Sequence, residues 1–531
     1  MLQLQQLTYR HADGTPLFSD LNLSLQAPAK AALVGHNGCG KSTLLRLLAG
    51  AEAPSGGSAR VDGSHWYVPQ HLGSFDGQTV AEVLGAAEKL GALADVLAGR
   101  NVEEALVRLD DDWTVAERFR AALDHWGLPG LAPGTLLGAL SGGQKTRVFL
   151  AGLAFADPKT VLLDEPSNHL DAGGRALLYD WVRSTRSLLL VVSHDRALLN
   201  ELPLTYELGP QGLTAYGGNY DFYAAQKAGA DAALEEDLLH GEKELRKAKA
   251  AARAMAERQA KRDARAEKSS GKAGLPSIVI NNLRNAAQNS TARAQGVHSG
   301  KVDAIRREVD ALRAAVPDRD RMKLRFSDSA LHRGKTLFVA EDLQYRIDGR
   351  PLWAPLTFRI GSGERLAIEG PNGSGKTTLL RLLLGGLEPS GGRLQRSVQR
   401  SVYIDQHYSL LDETCTVLEQ AQRFNRHALP EHELRTRLDW FLFGAADSGK
   451  RCAALSGGER MRLALCCLNI ADGAPDLIVL DEPTNNLDLR NTEILAAAVR
   501  DYEGTLIVVS HDERFREEVG VAGTINVRRE T

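Results

Sequence analysis

Gly35-His36-Asn37-Gly38-Cys39-Gly40-Lys41-Ser42 fits G-x-x-x-x-G-K-[ST], follows the apolar run Ala31–Val34 and opens into the helical pattern Leu44–Leu48. A glycine-rich loop between a strand and a helix turns its backbone N–H groups inward at a helix N-terminus, where anions are favoured. Gly35, Asn37, Gly38 and Gly40 are the candidate phosphate cradle. Lys41 would reach β- and γ-phosphates, and the Ser42 hydroxyl, with Thr43 beside it, would sit on Mg2+. The stretch recurs as Gly370-Pro371-Asn372-Gly373-Ser374-Gly375-Lys376-Thr377, followed by Thr378, after Leu366–Ile368.

The two loops belong to a longer internal repeat. Tyr9 and Tyr345 are offset by 336, Lys41 and Lys376 by 335, Gln70 and Gln406 by 336. Beyond them the offset falls to 315 for Ser141 and Ser456, and to 317 for Glu165 and Glu482 and for His194 and His511. The first unit therefore holds about 21 extra residues between Gln70 and Ser141. Both units mix β-rich runs (Ser187–Val192, Leu506–Val509) with helical ones, which predicts α/β layers on parallel-rich sheets.

The 531 residues suggest roughly two to four domains. A hydrophobic share of 43% and a charged share of 25% are those of ordinary globular protein. The five cysteines (Cys39, Cys415, Cys452, Cys466, Cys467) are few and lack metal-ligand spacing, as expected in a reducing cytoplasm. No apolar run approaches the ~18 residues that span a bilayer, and no signal-peptide core opens the chain. A soluble protein is expected. Asn289-Ser290-Thr291 then reads as a chance match to a glycosylation acceptor.

Between the copies the composition shifts. Tyr223–Lys268 lacks proline and is dense in Ala, Lys, Arg and Glu, predicting a helix of about 46 residues and ~70 Å. Leu238, Leu245, Ala248, Ala252 and Met255 follow heptad-like spacing. After Gly271, Gly274 and Pro276 a second pattern places Val302, Ile305, Val309, Leu312 and Val316 at 3-4-3-4 steps, a coiled-coil seam. We expect an antiparallel α-helical hairpin with its tip around Ser269–Asn282. The predicted organisation is a first domain at 1–225, a helical linker at 226–330 and a second domain at 331–531. Lys243–Arg293 carries thirteen lysines and arginines against four acids, a surplus of nine on a chain of net charge −3. A solvated linker helix accounts for that charge as well as a polyanion partner does. The tip with its flanking Arg258, Arg262, Arg265, Arg284 and Arg293 favours nucleic acid.

Two apolar runs end in paired carboxylates: Val161-Leu162-Leu163-Asp164-Glu165 and Ile478-Val479-Leu480-Asp481-Glu482. A buried strand can deliver Asp164 or Asp481 to Mg2+, leaving the next residue placed as general base for an attacking water. One such run alone would read as a strand ending in a solvated turn; following a phosphate loop in order, twice, it reads as chemistry. Leu140-Ser141-Gly142-Gly143-Gln144 and Leu455-Ser456-Gly457-Gly458-Glu459 each precede a helix, where glycines let N–H groups approach a phosphate and serine adds a donor.

This ordered set resembles the ATP-binding cassette ATPases over residues 1–225 and 331–531, with the two serine–glycine stretches at the signature motif. The resemblance implies ATP hydrolysis with Mg2+. It gives Gln70 and Gln406 contact with Mg2+ and the attacking water, His194 and His511 contact with the γ-phosphate, and Tyr9 and Tyr345 the adenine, for which Phe18 or Trp353 are alternatives. It implies head-to-tail pairing, so that Ser141 and Gly143 share the site of Lys376, and Ser456 and Gly458 share that of Lys41. Two hydrolysis-competent sites are expected. Cys39 against Ser374 and Gln144 against Glu459 are departures that replace no phosphate contact.

Within that family the chain resembles the ABC-F subfamily: tandem cassettes, a charged helical linker and no transmembrane part. Asp164-Glu165-Pro166-Ser167-Asn168-His169-Leu170-Asp171 and Asp481-Glu482-Pro483-Thr484-Asn485-Asn486-Leu487-Asp488 resemble its DEPTNHLD segment, the second departing at Asn486. The resemblance implies a cytoplasmic monomer with an intramolecular cassette pair, whose 226–330 hairpin meets ribosomal RNA and P-site tRNA. It also implies a short arm in the first cassette. The alternatives are an ATPase subunit recruited to separate membrane domains of a transporter, and a cassette ATPase acting on DNA.

Overall fold

The computed structural model describes residues 1–270, 300, 302–313, 334–398, 400–426, 428–471, 475–485 and 487–528. Met1–Asp221 and Arg321–Thr531 form one unit, and Phe222–Asp320 a second.

In the first copy the strands run in the order His65–Val68, Thr160–Asp164, Leu188–Val192, Lys30–Val34, Leu204–Gly209 and Gly212–Tyr216. All neighbours pair in parallel except the last two strands. The middle strands carry apolar runs because both faces are covered: Val161, Leu162, Leu163 and Leu188 through Val191 have no exposed surface. Parallel pairing puts the C-terminal ends of three adjacent strands on one edge. Asp164 ends one, His194 follows the next, and Gly35 follows the third. That edge is where ligands bind in open parallel sheets.

The second copy repeats the arrangement with Ser401–Ile404, Leu477–Asp481, Thr505–Val509, Arg365–Glu369 and Gly523–Asn526, all parallel. Each copy adds a three-stranded antiparallel sheet, Leu2–Arg10 between Pro16–Leu25 and Gly56–Val61, and Thr336–Gln344 between Leu356–Gly361 and Gly391–Arg396. The chain is thus a mixed α/β protein with two phosphate-loop cassettes. The extra residues of the first copy lie in a helical layer that includes Ala87–Leu97 and Val102–Leu109, tied by Arg108 to Asp95 at 3.0 Å.

The helix of the linker is Tyr220–Ser270, 51 residues. It starts before residue 226 because tertiary contacts begin it: Asp221 N donates to Asn200 Oδ1 and Tyr220 is buried. Residues 302–313 are helical and meet the long helix at Gly241 and Glu242. Val309 is buried, and Arg313 pairs with Glu242. A Cβ at Gly241 would lie 3.1 Å from Val309 Cγ2, so glycine permits the approach. Of the seam residues, Leu238, Leu245, Ala248 and Ala252 are half-buried, while Met255 is 50% exposed. The expected tip beyond Ser270, with Arg284 and Arg293, and Val316 lie outside the described residues, as do Asn289-Ser290-Thr291 and Asn486.

Candidate active site

The first loop closes on itself through its lysine. Lys41 Nζ donates to the carbonyls of Gly35 (2.8 Å) and His36 (3.0 Å), and Lys376 Nζ to that of Gly370 (2.8 Å). Gly40 and Gly375 have φ of 103° and 96°. A Cβ at either would strike Leu17 and Phe18, or Leu352 and Trp353, so only glycine fits there. The walls of a cavity of about 490 Å3 include Asn37, Gly38, Gly40, Lys41, Ser42, Thr43, Gln70, Asp164, Glu165 and His194. Its size is that of a small-molecule site.

Ser42 Oγ donates to Asp164 Oδ1 at 3.1 Å, and Thr377 Oγ1 to Asp481 Oδ2 at 3.2 Å. The second oxygen of Asp164 is buried and accepts no hydrogen bond. An orphaned carboxylate oxygen beside a serine hydroxyl, in a cavity that Gln70 also lines, is a hard-oxygen set that fits Mg2+. At the second site Asp481 Oδ2 also accepts from Tyr403 Oη at 2.8 Å.

Glu165 and Glu482 hold left-handed backbone, with φ of 52° and 49°. Such conformations in non-glycine residues concentrate at functional sites. Each carboxyl faces the histidine of its own copy: His194 Nε2 is 3.4 Å from Glu165 Oε1, and His511 Nε2 is 3.4 Å from Glu482 Oε1. Burial, reinforced by Asp164, pushes the Glu165 carboxyl up to about 8. Burial pushes Glu482 up to about 7, against the pull of Arg175 and Lys376. Burial and then Lys41 hold His194 down at about 3, and burial and then Lys376 hold His511 at about 4, so both imidazoles are neutral. Neutral rings can hydrogen-bond to a phosphate oxygen through one nitrogen while the other stays unprotonated.

The copies touch at their loops. Asn37 N donates to Asp488 Oδ2 (3.3 Å), and Thr484 and Leu487 of the second copy wall the first cavity. Asn372 Nδ2 donates to His169 O (2.8 Å), and a Cβ on Gly143 would lie 3.4 Å from that Asn372 nitrogen. Gly143 therefore lies against the second loop. Ser456 is not among the residues that wall the first cavity. Ser141 and Ser456 are exposed and cap their own helices, each in a reciprocal box with Gln144 or Glu459. Asn491 occupies the space over Gly458, 2.2 Å from where a Cβ would stand.

Other residues singled out from the sequence take these places. Tyr9 does not wall the cavity. Its ring stands behind His11, at 5.9 Å, and packs toward Phe18, at 6.1 Å; His11 and Leu17 form the wall. Phe18 and Trp353 are core residues, and Tyr345 packs against the second core. Gln406 turns its amide to His407 Nε2 at 3.0 Å, while Gln70 lines the cavity. Thr378 is half-buried behind Thr377, which is exposed together with Gly373. His11, Asn168, Thr484 and Leu487 were missed. His11 could have been found from its place two residues past the strand tyrosine, where the chain turns back toward the loop.

A family model described as ABC transporter matches residues 18–168 and 354–485. The chain is 33% identical over 545 residues to the tylosin resistance ATP-binding protein TlrC of Streptomyces fradiae, covering 97% of this chain and 95% of that protein. It is 27% identical over 540 residues to ABC transporter F family member 5 of Arabidopsis thaliana, covering 95% and 72%. Among solved structures, archaeal ribosome recycling factor aABCE1, in complex with the ribosomal stalk protein aP1, matches with a TM-score of 0.59 at 19% identity, over 97% of this chain and 86% of that one.

Proposed function

This chain belongs to the ABC transporter family of ATP-binding cassette proteins, in its tandem-cassette F branch, and is an ATPase; from that premise we propose that closure of its two cassettes around two ATP molecules controls binding to the ribosome. The observation that carries the reading is reciprocal contact: each phosphate loop is hydrogen-bonded to the opposite copy, through Asp488 in one direction and His169 in the other. A nucleotide held by such a loop bears on both cassettes at once.

In this reading Lys41 and Lys376 leave their loop carbonyls for the β- and γ-phosphates, which the loop N–H groups cradle. Ser42 with Asp164, and Thr377 with Asp481, would hold Mg2+, which would supply charge neutralisation at the phosphate oxygens. Gln70 and Gln406 orient the attacking water. Glu165 and Glu482, poised by burial near neutral pH, accept its proton. His194 and His511 donate to the γ-phosphate. His11 and Leu17, rather than Tyr9, carry the adenine at the first site. Replacing His11 with Ala should weaken ATP there roughly tenfold while pyrophosphate competes as before; equal losses for both would remove that role.

No described helix is long and apolar enough to cross a membrane. The linker helix carries the cationic surplus that suits ribosomal RNA or tRNA, and the family branch supports the same partner in a cytoplasmic setting. Only differential affinity shifts a population, so the ATP-bound conformer must bind the ribosome more tightly than the open one. Protein with both Glu165→Gln and Glu482→Gln should co-sediment with ribosomes in ATP and remain in the supernatant in ADP. Equal sedimentation under both conditions contradicts the proposal, and recovery with the membrane fraction instead supports recruitment to a transporter.

A further inference from the structure

We infer that a ring of charged side chains centred on Arg196 ties the root of the linker helix to both cassettes at once, so that cassette closure fixes the root and opening releases it. The inference rests on the closure proposed above and names the route by which closure reaches the linker.

Arg196 opens the short helix Arg196–Asn200, two residues past His194. Its side chain crosses to the second cassette: Nη1 donates to Glu518 Oε1 at 2.6 Å, and Nη2 pairs with Glu493 Oε1 at 3.3 Å. Glu518 Oε1 also pairs with Arg514 Nε at 3.4 Å, one turn back on the helix Glu513–Glu518. Arg514 Nη1 in turn donates to Asp221 Oδ1 at 2.8 Å. Asp221 lies in the first turn of the linker helix Tyr220–Ser270, and belongs to the unit that holds both cassettes. Its backbone N–H donates to Asn200 Oδ1 at 2.9 Å. Asn200 ends the helix that Arg196 begins, so the ring closes through three elements: one helix of each cassette and the first turn of the linker.

Burial decides what the ring can do. Ion pairs between exposed side chains contribute little, and Glu518, Glu493, Arg514 and Asp221 are partly or well exposed. Arg196 is buried, and its Nε makes no hydrogen bond among the described residues, so the two glutamates of the second cassette neutralise it. Without them a guanidinium in that place is an unpaired buried charge, whereas parted cassettes return it to water. The cross-cassette contacts of the ring therefore form and break together. With the cassettes apart, Asp221 keeps Asn200 of its own cassette and loses Arg514, so the root is held from one side only.

The ring occurs once. By the offset of 317, Arg196 corresponds to Glu513, Arg514 to Ala197 and Glu493 to Ala176. Glu513 is exposed and pairs within its own helix with Arg516 at 3.8 Å. The ring also borders the first phosphate loop: Glu493 lies on the helix Leu489–Arg500, whose cap Asp488 accepts from Asn37 N. One of the two cassette contacts thus reaches the linker, and it is the one beside the first site.

The test is hydrogen exchange on the whole chain carrying Glu165→Gln and Glu482→Gln, with and without ATP. Amides of residues 224–230 should exchange about tenfold more slowly in ATP. Arg514→Met, at a half-exposed side chain, should abolish that difference while two ATP molecules are still retained and the amides of Leu188–Val192 keep their protection. Arg196→Met should do the same, the two changes together should do no more than either alone because both break one ring, and Arg196→Lys should recover part of the difference. Exchange at 224–230 that ignores ATP, in a chain that retains two ATP molecules, overturns the inference. So does an ATP-dependent difference that survives both Arg514→Met and Arg196→Met. No ribosome takes part, so these outcomes stand apart from co-sedimentation: equal sedimentation in ATP and ADP contradicts the proposed function, whereas the amides decide the ring.

Discussion

Glu165 and Glu482 are carboxyls whose surroundings favour the proton, and this has a consequence for stability as well as for rate. The folded chain holds a proton on Glu165 up to about pH 8 and on Glu482 up to about 7, where the ordinary value is 4.5. Between those limits folding takes up protons. Stability is therefore greatest at the acid end of the window and falls as pH rises, by up to ~1.4 kcal/mol per pH unit for each carboxyl. Urea unfolding without added nucleotide should show that slope between about pH 5.5 and 7. Changing both residues to Gln should flatten it; an unaltered slope would place its origin elsewhere. At this scale the contiguous motifs were legible. A loop such as Gly35–Ser42 contains its own geometry, and Asp164 and Glu165 announce themselves by ending an apolar strand. The adenine wall was not: Tyr9 and His11 are two residues apart, and which ring reaches the cavity depends on a turn closed by His11 N and Thr15 O at 2.9 Å, a detail no pattern of residue types encodes.

Among the elements, the buried strands and the signature helices could be read locally, because period and capping chemistry are properties of a short window. Thr79 with Glu82 and Thr416 with Glu419 form the same reciprocal box as the signature serines, at the first α-helix after Gln70 and after Gln406. The linker helix was legible from its composition, whereas its start at Tyr220 was not, since packing and Asn200 set it. The extra residues of the first copy were countable in the repeat offsets, but their division into Ala87–Leu97 and Val102–Leu109 depends on tertiary pairing. Gly241 is a glycine inside a helix, where propensity alone favours Ala by ~1 kcal/mol. Its use is the approach of Val309. Gly241→Leu should therefore cost roughly 1–3 kcal/mol at that contact despite the better helix former. Hydrogen exchange checks this: amides around Val309 should lose protection while those of the cassette sheets keep theirs. Unchanged protection at Val309 would mean the glycine is incidental.

For the molecule as a whole, the cassettes are joined by more than their phosphate loops. Arg196, 5% exposed, reaches Glu518 at 2.6 Å and Glu493 at 3.3 Å across the pair, and Arg514 reaches Asp221 at 2.8 Å. These ion pairs are not repeated by symmetry, since Glu513 stands where the first copy has Arg196. Duplication was plain in the sequence, yet this asymmetry emerges only when opposite faces are juxtaposed, because each partner sits in an unremarkable helix until the other arrives. In the proposed function, the same juxtaposition would make each nucleotide site a joint property of both halves. Equilibrium dialysis of ATP against the Glu165→Gln, Glu482→Gln protein measures that directly. Two ATP molecules should be retained per chain, falling to one when either Lys41 or Lys376 is changed to Ala; retention of a single ATP per chain with both lysines intact would contradict closure around two nucleotides.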